Sequence, residues 1–286
     1  MYLPSPIYLG LSLAILTCLT ACAGVFAQPP AASQPLTDSD AVGDREGMAI
    51  LEHVEQRAEE IKTLVANVTY ERFQGLLGDQ TRRYGTLVYD RGPPALFAVD
   101  FDKLVHGDTL ELDSLRYIFD GRWLAERNDN DRIFRRYELV SEEDAAAGLG
   151  RDLLKLGEGP FPLPLNLRKG RVLQRFKVNR IGPADELDRP SVGLRLTPKS
   201  HAAEVEDTLI HLWFDACTYL PLCMQAVNED EESETIIILR NLQVDIELEA
   251  DLFDTTPPDD EGWQVQIDRI ELDRTEPGAS PRPMVP

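Results

Sequence analysis

From Arg45 to Leu64 the apolar residues Ile50, Leu51, Val54, Ala58, Ile61 and Leu64 recur at helical spacing, while Glu52, Glu55, Gln56, Glu59 and Glu60 fall mainly off that stripe. The pattern predicts one amphipathic helix that needs a surface to pack against. The period then drops to two. Residues 65–73 and 81–90 are short runs rich in β-formers, joined through Gly75-Leu76-Leu77-Gly78-Asp79 as a hairpin. In residues 97–102 apolar positions alternate with small or acidic ones. Leu115, Tyr117 and Phe119 alternate with Arg116, Ile118 and Asp120, so each segment reads as a strand with one buried face. Asp120-Gly121 turns the chain into Arg122-Trp123-Leu124, and residues 128–131 turn it into a strand over 133–140.

The middle of the chain breaks this rhythm. Ser141 is a helix N-cap with Glu142, Glu143 and Asp144 in the first turn, and the helix is expected to run to Leu156. Gly157-Glu158-Gly159-Pro160 ends it, and Phe161-Pro162-Leu163-Pro164-Leu165 follows as an apolar loop whose prolines bar regular structure. A second short helix is predicted around residues 168–176. Strands resume over 191–198, 208–216, 222–228, 234–241 and 242–248; in the last, Leu242, Val244, Ile246 and Leu248 alternate strictly with polar residues. Ten or eleven strands with about three helices define an α+β, mainly β protein built on a strongly curved antiparallel sheet, with helices that plug or cover it.

The ends read differently. No charged residue precedes Asp38, and residues 7–20 are almost wholly apolar or small. That is the length of a signal-peptide core, shorter than the ~20 residues of a membrane span. Two processing sites are open: cleavage after Ala27, making 1–27 the signal peptide, or a lipobox, Leu19-Thr20-Ala21-Cys22, in which Cys22 becomes a lipid anchor. Residues 28–44 read as a disordered tether, 45–265 as the folded domain, and 266–286 as a disordered tail. The expected location is the periplasm, with anchoring to the outer membrane if Cys22 is acylated.

Charge narrows the partners. Lysine plus arginine number 29 against 50 acidic residues, a net charge of −21. Such a chain repels phosphate backbones, so no nucleic-acid partner is expected. No nucleophile elbow, zinc-protease helix or phosphate loop is present in the sequence, so no enzyme, no metal and no cofactor is expected. Asp100 and Asp102 share a strand face and read as a solvated surface. Cys217 and Cys223 flank a predicted hairpin turn and are a candidate disulfide; register decides, because the Cα atoms must come within ~7 Å. The acidic run 229–234 reads as a solvated loop tip, or as a docking surface for an envelope protein with a basic face.

Several segments resemble, in order, those of the LolA/LolB lipoprotein-carrier superfamily. They are Tyr84-Gly85-Thr86-Leu87-Val88-Tyr89-Asp90-Arg91-Gly92-Pro93, Tyr117-Ile118-Phe119-Asp120-Gly121-Arg122-Trp123-Leu124 and Leu194-Arg195-Leu196-Thr197-Pro198-Lys199. Leu212-Trp213-Phe214-Asp215 with Leu220-Pro221, Ile238-Leu239-Arg240-Asn241, and Phe253 with Pro257-Pro258 and Gly262 complete the series. The resemblance implies an unclosed β-barrel covered by helices, enclosing an apolar cavity that takes the acyl chains of lipoproteins without covalent chemistry. It implies a lining of Phe97, Val99, Phe101, Tyr117 and Phe119 from the sheet, with Phe161, Leu163 and Leu165 from the lid side. It also implies a latch role for Arg91, although Arg91-Gly92-Pro93 is one residue longer than the family's Arg-Pro. The alternative implied by the same fold is a lipid-sensing regulator or a protein-binding envelope module.

Overall fold

The computed structural model describes residues 38–75, 78–143, 165, 167–184, 186–199, 208–228 and 232–269. Helix α1 (Asp38–Glu60) leads directly into strands β1 (Thr63–Gln74), β2 (Asp79–Asp90), β3 (Leu96–His106), β4 (Thr109–Phe119), β5 (Trp123–Asn128) and β6 (Ile133–Glu138). After the short helix α2 (Lys169–Arg175) come β7 (Phe176–Ile181), β8 (Ser191–Pro198), β9 (Thr208–Asp215), β10 (Pro221–Asn228), β11 (Ser233–Val244) and β12 (Gln264–Asp268). All twelve strands form one sheet in the order β12-β6-β5-β4-β3-β2-β1-β11-β10-β9-β8-β7. The first and last strands do not meet, so the sheet curves without closing.

Within β1–β6 and within β7–β11 each strand is followed in the chain by its antiparallel neighbour in the sheet, a meander order. Two pairings are less local. β1 lies against β11, which brings the two halves of the sheet together. β12 returns to pair with β6 in parallel, Gln264 beside Ile133 through Asp268 beside Tyr137, where the sequence pattern implied antiparallel pairing throughout. Register shifts in the β2–β3 and β3–β4 pairings insert bulges that increase local twist.

Alternation puts one set of side chains on each face. The concave face carries Leu64, Ala66 and Val68 of β1, Leu87 and Tyr89 of β2, Leu194 and Leu196 of β8, and Ile210, Leu212 and Phe214 of β9, packed with Leu51 and Val54 of α1. On the convex face a second cluster joins Val88, Ala98, Ile118, Ala125 and Phe134 to Phe253. The chain reaches that face through a corner at Asp245, where φ is 56°. The Asp245 amide donates to Thr63 O (2.9 Å), its Oδ1 accepts from the Lys62 amide (2.8 Å), and Thr63 Oγ1 donates to Ile246 O (2.7 Å).

That corner corrects one sequence expectation. The two strands expected over 234–241 and 242–248 are one strand, Ser233–Val244, because the Asp245 turn carries the chain off the sheet; Leu242 and Val244 pack concave, whereas Leu248 packs convex. Helix α1 starts at Asp38, inside the expected tether, and ends at Glu60, so Leu64 belongs to β1. Residues 266–268, expected in the tail, are the end of β12. The predicted second helix stops at Arg175, and Phe176 opens a strand. Beyond Glu143 the predicted helix to Leu156 lies outside the described residues.

Candidate functional site

The concave face is the candidate site. On β3 and β4 the register sets Phe97 opposite Phe119, Val99 opposite Tyr117 and Phe101 opposite Leu115. Side chains directly opposite on one face are cross-strand neighbours. The Phe97 and Phe119 rings lie 5.8 Å apart, and Tyr70 of β1 leans on Phe101 at 6.2 Å. The five predicted sheet residues therefore share one continuous surface, in the same cluster as Leu165. Phe97, Val99, Phe101 and Phe119 are at most 3% exposed. Phe161, Leu163 and Cys22 lie outside the described residues.

Helix α1 packs against β7 and β8. Its apolar stripe, Ile50, Leu51, Val54 and Ile61, is buried. A void of about 20 Å³ lies beneath it, lined by Val54, Ala58, Ile61, Tyr89, Leu165 and Tyr219. Ligand pockets measure ~300–1,000 Å³, so an acyl chain enters this place only by displacing something. A groove of about 730 Å³ on the convex face is lined instead by Asn67, Thr69, Tyr84, Thr86, Lys103 and Arg240, which is not a dry lining.

The acidic flank of α1 is not merely solvated. Asp44 accepts from Asn179, Glu46 pairs with Arg180 at 2.7 Å, Glu52 with Lys169 at 3.0 Å, and Glu59 with Arg168. The Lys169 amide donates to Glu55 at 3.2 Å. The hydrogen bond from Lys169 holds the Glu52 carboxyl below its ordinary range. Gly47 lets the helix approach this closely, because a Cβ there would sit 3.0 Å from the Arg180 nitrogen. His53 stacks on Tyr219 at 4.9 Å. Exposed ion pairs of this kind hold weakly and are screened by salt, so they orient α1 while its buried apolar stripe holds it to the sheet.

Arg91 directly follows β2, its amide donating to Lys62 O at 2.8 Å. Its Nε is buried without a hydrogen-bond partner among the described residues. Cys217 and Cys223 are both free, which corrects the candidate disulfide. Cys223 pairs in register with Trp213, four positions short of Cys217, and is buried, whereas Cys217 sits exposed in the turn. Burial pushes the Cys223 thiol up to about 12. The thiolate is the reactive form, so a native-state alkylation should label Cys217 and leave Cys223 unmodified until the protein is denatured. Peptide mass mapping checks this, and equal labelling of both thiols would contradict the burial.

Sequence reasoning missed the polar end of the concave face. Tyr117, Glu126 and Arg135 form a cross-strand row over β4, β5 and β6, with Arg135 3.1 Å from Glu126. Arg83, beside Tyr70, reaches across β3 to Asp113 at 2.8 Å. The signal was present: Arg83 has the parity of Leu87 and Tyr89, and Glu126 that of Leu124. Tyr117 sits where the aromatic floor meets this rim. Burial, then the Glu126 charge, pushes its phenol up to about 12. The folded state keeps that proton where the unfolded chain loses it. The associated stability is therefore fully present below pH 10.0 and lost as pH rises toward about 12. In an absorbance titration the native wild type should show one more tyrosine ionising well above pH 10.0 than native Tyr117→Phe does.

The described residues thus form a strongly curved, unclosed sheet with a helix against its concave side, the architecture expected from the sequence. No family model matches the chain, and no curated protein matches it. Solved structures are similar to it: MucB at 14% identity and a TM-score of 0.45, covering 73% of this chain and 62% of that one. The chain thus spans less than two thirds of the MucB chain. A putative outer membrane lipoprotein-sorting protein domain from Vibrio parahaemolyticus is similar at 12% identity and a TM-score of 0.38, covering 73% of this chain and 97% of that one. The lipoprotein LppX of Mycobacterium tuberculosis is similar at 9% identity and a TM-score of 0.44, covering 72% of this chain and all 100% of that one. These likenesses concern the fold.

Proposed function

We propose that the protein is an exported acyl-chain or lipoprotein carrier or acceptor of the cell envelope, working by reversible burial of acyl chains against the concave face. One observation carries this reading: a largely apolar, aromatic sheet face lies near a helix held along its flank by exposed ion pairs. An acyl chain leaving water gains ~0.8 kcal/mol per buried CH₂, so a chain of ordinary length repays parting weak pairs. No covalent step and no cofactor enter this mechanism. Arg91 serves as a latch in it, its unpartnered Nε offering a donor to a lid carbonyl. Acylation of Cys22 would make the protein a tethered acceptor rather than a diffusing shuttle.

Native mass spectrometry of the chain, exported and purified without detergent, tests the reading. An adduct of acyl-chain mass, or uptake of an added fluorescent fatty acid, is expected. Lys169→Glu with Arg180→Glu should speed that uptake, because both reversals set like charges across the α1 seam. A clean mass with no uptake by either protein would sink the reading.

A further inference from the structure

The concave face is not apolar to its end, and the exception has a direction. Asp113 has an 8% exposed side chain and Glu126 a 23% exposed one, whereas their partners Arg83 and Arg135 are 26% and 40% exposed. The acids lie beneath and the guanidiniums above. Arg83 spends its Nε on Asp113, and Arg135 spends one Nη on Glu126. Among the described residues their other donors have no hydrogen-bond partner. An arginine carries five N–H donors in a rigid fork, so each keeps an oriented, unspent edge. The convex-face arginines donate to other partners, and Arg116 and Arg136 keep a buried Nε without a hydrogen-bond partner among the described residues. Arg122 is spent on Glu138 and Glu142, Arg116 donates to Leu252 O, and Arg136 donates to Thr255 and covers the Trp123 ring.

Half-buried ion pairs are poor value as stabilisers, since desolvation cancels much of the attraction. Two of them beside Tyr70, Phe101 and Tyr117, in a chain of net charge −21, need another reason. We infer that Arg83 and Arg135, oriented by Asp113 and Glu126, form a headgroup site at the polar end of the concave face, selecting amphiphiles whose head is anionic. The inference rests on the acyl-chain reading above and adds what that reading leaves open, the chemistry of the head. Carboxylate and phosphate oxygens both match the guanidinium fork. Tyr117 lies within electrostatic reach of both arginines and marks the place where the chain ends and the head begins.

The test compares two probes of one chain length on the full-length protein: dansylaminoundecanoic acid and its methyl ester. The acid is expected to bind about tenfold tighter, the worth of one charge-assisted hydrogen bond. Exchanging both pairs for amides, Arg83→Gln with Asp113→Asn and Arg135→Gln with Glu126→Gln, keeps the net charge and neutral hydrogen bonding. It should bring the acid to the ester's affinity and leave the ester unchanged. The more exposed Arg135→Gln with Glu126→Gln exchange alone should remove part of the preference if the fourfold variant fails to fold. Equal affinity for acid and ester in the wild type, or a preference that survives these exchanges, would overturn the headgroup site while leaving acyl-chain binding intact. Inorganic phosphate that binds at these arginines with no gain from an attached chain would assign them to a soluble anion and also overturn it. Failure of both probes to bind would fall on the acyl-chain reading itself.

Discussion

Replacing Phe101 by alanine is expected to lower the unfolding free energy by about 3–5 kcal/mol. The side chain is 1% exposed, sits opposite Leu115 on β4, and takes the Tyr70 ring at 6.2 Å. Its neighbours belong to paired strands and cannot collapse into the space, so lost burial and a residual cavity both count. Urea denaturation of wild type and variant measures the difference. The same substitution divides two roles that otherwise look alike. A purely structural phenylalanine leaves a less stable protein with unchanged ligand behaviour. A lining phenylalanine leaves room where the chain enters, so uptake of a fluorescent fatty acid should rise while stability falls. A loss below about 1 kcal/mol would mean that Phe101 is not packed as described, since truncation of a large core side chain to alanine ordinarily costs about 2 kcal/mol or more.

Gly85→Val should be as damaging, for the opposite reason. A Cβ at Gly85 would stand 2.0 Å from Asp100 O and 2.8 Å from Phe101 Cα. Both are backbone atoms of β3, next to the register shift between Tyr84 and Gly85. No rotamer change relieves such a contact; β3 must move away, taking Val99 and Phe101 with it. Overpacking ordinarily costs ~1–3 kcal/mol, and this case lies at or beyond the upper end. Gly170 in α2 is the control, because a Cβ there meets nothing within 4 Å. Gly170→Ala should be neutral or stabilising by about 0.5–1 kcal/mol, the ordinary helix-interior gain. Thermal melts of both variants, read by circular dichroism, give the comparison. A Gly85→Val melt within a degree or two of wild type would show that β3 does not press on β2.

Much of the sheet was legible because its alternation is strict. Residues 191–198 and 208–215 are strands as the pattern predicts, and Phe97, Val99, Phe101, Tyr117 and Phe119 share one face because two-residue periodicity leaves no other arrangement. The strands that escaped notice lack that contrast. In β7 only Phe176 and Val178 are buried, and Phe176 reads in the sequence as the end of the preceding helix. In β12 every residue is exposed, so backbone pairing rather than side-chain burial defines it, and sequence periodicity does not record backbone pairing. The corner at Asp245 was hidden for another reason. Leu242, Val244, Ile246 and Leu248 alternate without a break, and only the positive φ at Asp245 separates a strand from a strap. The polar rim was visible as charged residues at buried parity. Its pairing of Arg83 with Asp113 spans β3 and depends on three-dimensional register.

The two outermost strands of the sheet are β12 and β7. An unclosed sheet leaves unpaired amides and carbonyls at both sides, and such borders recruit strands from other molecules. Here the chain uses its own extremities as guards. The opening helix, with Gly47 set against the Arg180 nitrogen, runs along β7; the closing strand, short and parallel, lies over the free side of β6. On the proposed loading mechanism, a helix that lifts to admit an acyl chain also unshields the border it protects. For a protein of this design, the loading step and the moment of greatest exposure to self-association would coincide, which favours a weak, quickly reclosing seam over a strong one.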